Sequence, residues 1–190
     1  MTRVTFALAG ALGGLAWAAA IRAYMVEIAG RASHFEWVGT FAQILLPGVL
    51  IGVLLGVAEH LRRTGGRPGW RWLAVAPVLF AIAPLLSPGA LHALLTTGLG
   101  GGAVAIPLIG MLGGFAVSGR GRLWARIVTG VIALTLVVAA PLTQAFFAPR
   151  GLEVTEPRGA WAALLLASLE VIFAFACSIP HRRVVASTAR

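Results

Sequence analysis

Six apolar runs, separated by short gaps rich in arginine, glycine and proline, leave this chain few ways to fold. They cover approximately residues 4–29, 37–61, 72–86, 91–117, 123–147 and 160–179. Crossing a hydrocarbon core about 30 Å thick takes roughly 17 to 25 apolar residues in a helix. Within that core no water is present to satisfy unpaired backbone groups, so a spanning segment must pair its own N–H and C=O groups as an α-helix. The expected fold is an all-α membrane protein, one bundle of six transmembrane helices over residues 1–190. The third run is the shortest. Only 15 residues run from Trp72 to Leu86, and Pro77 and Pro84 interrupt them, which predicts a short, kinked or tilted helix.

Composition excludes the main alternatives. Of 190 residues, 59% are hydrophobic and 11% charged, and the mean hydropathy of +0.92 lies far from that of a soluble domain. The net charge of +9 does not point to nucleic acid, because the arginines sit in short gaps rather than on polar stretches that could display them. The N-terminal run has the arginine and the alanine-rich end of a secretory signal. It continues to Val26, beyond the usual 7 to 15-residue signal core, which favours a retained first helix.

Arginine placement orients the expected bundle. The gap at 62–71 carries four arginines and that at 120–126 carries three, while Arg3 opens the chain and Arg182, Arg183 and Arg190 close it. Six crossings put all of these on one side, leaving Arg31, Arg150 and Arg158 opposite. By the positive-inside rule both termini are then cytoplasmic. Trp37 and Trp161 fall at outer ends and Trp70, Trp72 and Trp124 at inner ends, as interfacial belts require.

Gly48, Gly52 and Gly56 recur every four residues in the second run, as do Gly10 with Gly14 and Gly98 with Gly102. Small residues at this spacing let helix backbones approach closely. A tight single bundle is the first reading, and a homo-oligomer or a docking face for a larger membrane complex through Gly48, Gly52 and Gly56 is the second. Pro107 predicts a kink in the fourth run.

Glu170 lies in the middle of the last run. A charge near the bilayer midplane costs roughly 2.5 to 3.5 kcal/mol on insertion scales and marks a functional site by default. Other polar residues collect in the outer half: Arg22, Thr40, Gln43, Thr96, Thr97, Thr143 and Gln144, with His92 at the rim. The cytoplasmic half is mostly aliphatic, which fits an outward-opening cavity closed at its inner end better than a polar path across the bilayer. Arg22 lies about 8 Å from the outer end of its helix and Glu170 about 15 Å, at 1.5 Å per residue. Side chains lean toward the helix N-terminus, so these two lean toward each other's depth. The expectation is a buried ion pair, or a ligand bracketed between them, if the first and last helices are neighbours. The candidate ligand-binding residues are Arg22, Gln43, Gln144 and Glu170, with His92, His34 and Glu36 at the outer surface.

Two imidazoles and a carboxylate at His34, Glu36 and His92 could hold a metal, but the spacing is that of solvated loop side chains and no metal or cofactor is expected. Glu27 is placed to pair with Arg31 at i+4. Absence of lysine excludes a retinal Schiff base, absence of aspartate excludes aspartate-rich head-group transferases, and a single Cys177 excludes dithiol redox chemistry. No catalytic residue is identified.

Arg22 and Met25 near the end of the first run, followed by Phe35, Trp37, Gly39 and Thr40, resemble a pattern in small multi-pass bacterial membrane proteins. That resemblance covers the first third of the chain and brings no activity. It implies a bacterial cytoplasmic membrane. In size and helix number the chain is also similar to the substrate-binding membrane components of energy-coupled vitamin importers, though it shares no motif with them. Three functions are consistent with the residues: an outward-facing binding or transport protein for a small organic solute or lipid, a non-catalytic membrane subunit or assembly factor, and a small outer-leaflet enzyme using Glu170, or His34 and Glu36, as acid or base. The topology has a direct test. A reporter that matures only in the cytoplasm should be active when fused after Arg190 and silent when inserted after Glu156; the reverse pattern would refute the orientation, and equal signals at the two sites would refute the last crossing.

Overall fold

The computed structural model describes residues 2–97, 101–147 and 151–185, except the side chains of 32, 93, 97, 141 and 143–147. Every regular element among them is helical. Helix α1 is Arg3–Ala29, and α2 is Leu46–Arg63, entered through a nine-residue π-helix, Trp37–Leu45. Two short helices, α3 (Val78–Leu85) and α4 (Ala90–Thr97), precede α5 (Gly101–Val117), α6 (Leu123–Phe147) and α7 (Pro157–Cys177).

Local chemistry explains the boundaries. Thr2 caps α1 by accepting the Thr5 N–H at 3.3 Å, and Gly30 ends it at a φ of 54°, open to a residue without Cβ. Pro157 opens α7 at the position where a missing N–H costs nothing. In the second run, Pro47 can neither donate to the Gln43 carbonyl nor fit against it in an α-turn. The chain there widens, and the Leu46 N–H bonds Phe41 O, five residues back.

One expected helix differs. The third run begins as a 3₁₀ segment, Trp70–Val75, and becomes α-helical only over α3. The chain bends by 111° between α3 and α4. Ser87, Pro88 and Gly89, the last at a φ of 78°, make that bend. Of the expected fourth helix over 91–117, α4 and α5 are the described parts; residues 98–100, Gly98 included, lie outside the described residues. Among the described residues four helices are long and apolar enough to cross a membrane, or five if the bent pair counts as one span. Helix α5, at 17 residues, is about 25 Å long, and it continues through Pro107.

Helices α1 and α2 approach to backbone contact. A Cβ on Gly52 would lie 2.0 Å from Gly10 O, one on Gly14 2.1 Å from Gly48 O, and one on Gly56 2.2 Å from Phe6 O. The glycines of the second run therefore face α1 of the same chain. Gly102 has open space around it instead. On the other flank, Gly110, Gly113 and Gly114 of α5 let that helix close on Phe173, Ala174 and Cys177 of α7.

Trp17 sits where α1, α3 and α7 meet. Its ring stacks on Phe173 with centroids 4.3 Å apart and meets Phe80 edge-on at 5.3 Å. Its indole N–H donates to Leu169 O at 3.0 Å. Ile21, Ile51, Leu55 and Ile106 complete this core.

The arginine-rich segments gather at one end of the bundle. Arg62 donates to Arg183 O, Val185 N–H returns a bond to Arg62 O, Phe115 of α5 packs on His181, and Arg126 of α6 donates to Ala116 O. At the other end, Arg158 of α7 clasps the carboxylate and carbonyl of Glu27 on α1. Glu27 thus pairs across helices and not with Arg31, because the helix stops at Gly30. Gly52→Ala should lower the unfolding midpoint in mixed detergent titrations by the equivalent of about 1 to 3 kcal/mol. Gly13→Ala, whose Cβ would meet nothing within 4 Å, should be neutral or gain up to about 1 kcal/mol; equal effects would refute the α1–α2 contact.

Candidate functional site

Arg22 and Glu170 are both buried, at 8% and 2% exposure, and their surroundings are opposite. Arg22, near the end of α1, is held by its own chain. Its Nε donates to Thr40 Oγ1 at 3.4 Å, Nη1 to Ser33 Oγ at 3.0 Å and Nη2 to His34 O at 2.5 Å, while the guanidinium lies 4.4 Å over the Phe35 ring. The widened Trp37–Leu45 turn presents Thr40 to it. Arg22 is a strap that fixes the α1–α2 connection.

The expected Arg22–Glu170 pair does not form. The first and last helices are neighbours, as that pairing required, through Trp17 and Leu169. Helix α7, however, meets α1 through Leu169 and Phe173, and Glu170 borders a cavity between α5, α6 and α7.

The remaining candidates are dispersed. Gln43, on the π-helix, donates through Nε2 to Ser87 Oγ and ties the second run to the α3–α4 bend. His34 and Glu36 lie exposed in the loop before it, and His92 is exposed on α4, its carbonyl accepting from Thr96 Oγ1. Gln144 has its side chain outside the described residues. Among the described residues no three His, Cys, Asp or Glu side chains converge on a point where a metal ion could sit.

Glu170 stands apart because both carboxyl oxygens are buried without a hydrogen-bond partner. The cavity it borders has a volume of about 200 Å³. Space exists there because Gly113 on α5 and Gly130 on α6 carry no side chain, and Ala133 and Ala174 carry only a methyl. Leu134, Val171 and Phe175 also border it and are exposed at 65%, 50% and 53%. Leu134 lies near the middle of α6 and Val171 within α7, where an exposed apolar surface suits contact with lipid. Apart from the carboxyl, the lining has no polar side chain. A group placed in this way can accept a hydrogen bond or balance a cation, and in a low-dielectric site either interaction is stronger than in water.

Some of this was readable in advance and some was not. A mid-span Trp17 with an N–H to satisfy was a signal for a buried partner that the glycine spacing alone does not give. Ser33 and the His34 carbonyl carry no signal, since loop atoms become ligands for Arg22 only through the loop's path. Gly110 with Gly114 repeats the small-residue spacing of α2 and announced the α5–α7 contact.

No protein-family model, curated protein or solved structure matches the chain, and the Phe35–Thr40 resemblance brings no membership with it. Two substitutions separate a structural role from a binding one. Glu170→Leu removes an unpaired buried carboxyl and should raise stability by about 1 to 3 kcal/mol, whereas Arg22→Met should lower it by at least that much. Destabilisation by Glu170→Leu in an unfolding titration would identify Glu170 as a structural pin.

Proposed function

We propose that the protein is an intramembrane binding protein for a lipid-like organic molecule, held between α5, α6 and α7 with Glu170 as its polar contact. The observation that carries this reading is the buried Glu170 carboxyl, which has no partner in the chain and opens on an apolar cavity. A carboxyl kept at that cost in the middle of a span suggests a partner from outside the chain. The exposed apolar rim of Leu134, Val171 and Phe175 argues for entry from the lipid side rather than from the outer water. This replaces a polar outward cavity, because Arg22 and Gln43 are already engaged.

In this reading the chain crosses a bacterial cytoplasmic membrane six times, with the 3₁₀ segment Trp70–Val75 plus α3 as the third crossing and α5 as the fourth. The gathering of Arg62, Arg126 and Arg183 at one end supports a cytoplasmic placement for that end and for both termini. The ligand class is an apolar chain bearing a strong hydrogen-bond donor, an amine above all. A carboxylic acid or phosphate group would place like charge or acceptor against acceptor.

A second reading, a membrane subunit that docks a basic or amide-bearing partner helix in the same groove, draws on the exposure of α6, where Ala133 is the buried residue among those described. The test separates them. Dodecylamine should raise the thermal midpoint of the detergent-solubilised protein and dodecanoate should not. Glu170→Gln should weaken the amine effect at least about tenfold, the loss of one charge-assisted hydrogen bond, and Leu134→Trp, at the exposed rim, should weaken it by narrowing the cavity mouth. Equal responses of native protein and Glu170→Gln would refute the amine site, and a co-purifying membrane protein lost in Glu170→Gln would select the subunit reading.

A further inference from the structure

The arginine-rich end of the bundle contains cations that the chain itself does not compensate. Glu59 engages Arg62 at 2.7 Å and Arg63 at 2.6 Å, and Arg71 lies over the Trp70 ring. Arg3 and Arg67 differ from these. Both are exposed, and among the described residues neither side chain has an ion pair or a hydrogen bond. Although 64 residues apart in sequence, they line the same groove, about 580 Å³ in volume, whose other walls are apolar.

That groove continues away from the arginines. A second hollow of about 370 Å³ shares Leu54, Trp72 and Leu73 with it and runs on past Leu79 to Ile82 on α3. From Trp72 to Ile82 the helical rise gives roughly 15 to 20 Å, about half of a 30 Å hydrocarbon core and so the reach of one acyl chain. The combined surface thus has two free cations at the bundle end and an uninterrupted apolar track leading inward. We infer that it is a binding site for an anionic phospholipid, with the phosphate between Arg3 and Arg67 and an acyl chain along α2 and α3. The net negative charge of the lipid is selected because both cations lack an internal counter-charge. This site lies at the opposite flank from Glu170 and does not depend on the amine reading.

The test is native mass spectrometry of the delipidated protein with equimolar phosphatidylglycerol and phosphatidylcholine of identical acyl chains. Phosphatidylglycerol should be retained preferentially. Each interfacial cation contributes roughly fivefold, so the double variant Arg3→Gln, Arg67→Gln should lose about thirtyfold of that preference. Arg63→Gln, which removes a cation already held by Glu59, should preserve the preference. Leu54→Trp should reduce retention of both lipids by narrowing the shared part of the track. Equal retention of the two lipids by the native protein, survival of the preference in the double variant, or equal loss in Arg63→Gln would overturn the proposal. So would displacement of phosphatidylglycerol by millimolar inorganic phosphate, since that would show a head-group site without a chain track.

Discussion

The contact between the α1 and α2 backbones governs the arrangement of the other elements. In a bilayer, helix association gains little from burying apolar surface, since lipid is as apolar as leucine, and close packing supplies the attraction instead. Gly10 and Gly14 against Gly48 and Gly52 bring the two backbones to a separation that no side chain would allow. With that seam closed, Trp17 is aimed at Phe80 and Phe173, and its N–H finds Leu169 O on α7. Five residues after Trp17 and directly after Ile21, Arg22 emerges where the returning chain can wrap it. The same seam therefore sets both the position of α7 and the geometry of the outer loop.

Fixing α7 by its Leu169 and Phe173 side determines what Glu170 can face. Successive residues on a helix differ by about 100° in direction. About 100° round from Leu169, Glu170 borders the cavity against α5 and α6. There the approach of α5 through Gly110, Gly113 and Gly114 removes side chains that would otherwise fill the space. The empty volume beside the carboxyl follows from packing chosen on both sides of α7. It is not the result of a missing residue in an otherwise complete core.

The sequence made the apolar helices legible because long runs without charge have only one way to satisfy their backbone in lipid. Helix α6 matched at 123–147, and α1 and α7 fell within a few residues of expectation. Breaks were harder. The third run reads as one apolar stretch, and hydropathy does not register that it starts as a 3₁₀ segment at Trp70–Val75. The π-helix before Pro47 was also hidden, since proline marks a disturbance without saying whether the chain will kink, unwind or widen. For the polar residues, sequence located depth but not direction. Arg22 and Glu170 were placed at facing depths, yet the rotation of α7 and the loop's own acceptors decided that they do not meet. That decision depends on long-range contacts, which hydrophobic period and spacing do not encode.

The difference between the two buried polar groups bears on specificity. Arg22 has its donors answered by neutral acceptors from the chain, so a ligand would have to displace them and gain little. Glu170 has nothing to displace. A molecule without a donor leaves the carboxyl as unpaired as it was, and gains only dispersion contacts with Ala133, Ala174 and their neighbours. One with a donor gains those contacts and relieves a buried unsatisfied group as well. Sites built around such a group discriminate far more sharply between ligands with and without the matching polar atom than apolar pockets do between sizes. Because the other lining side chains are all apolar, discrimination at the proposed site would rest on the single carboxyl.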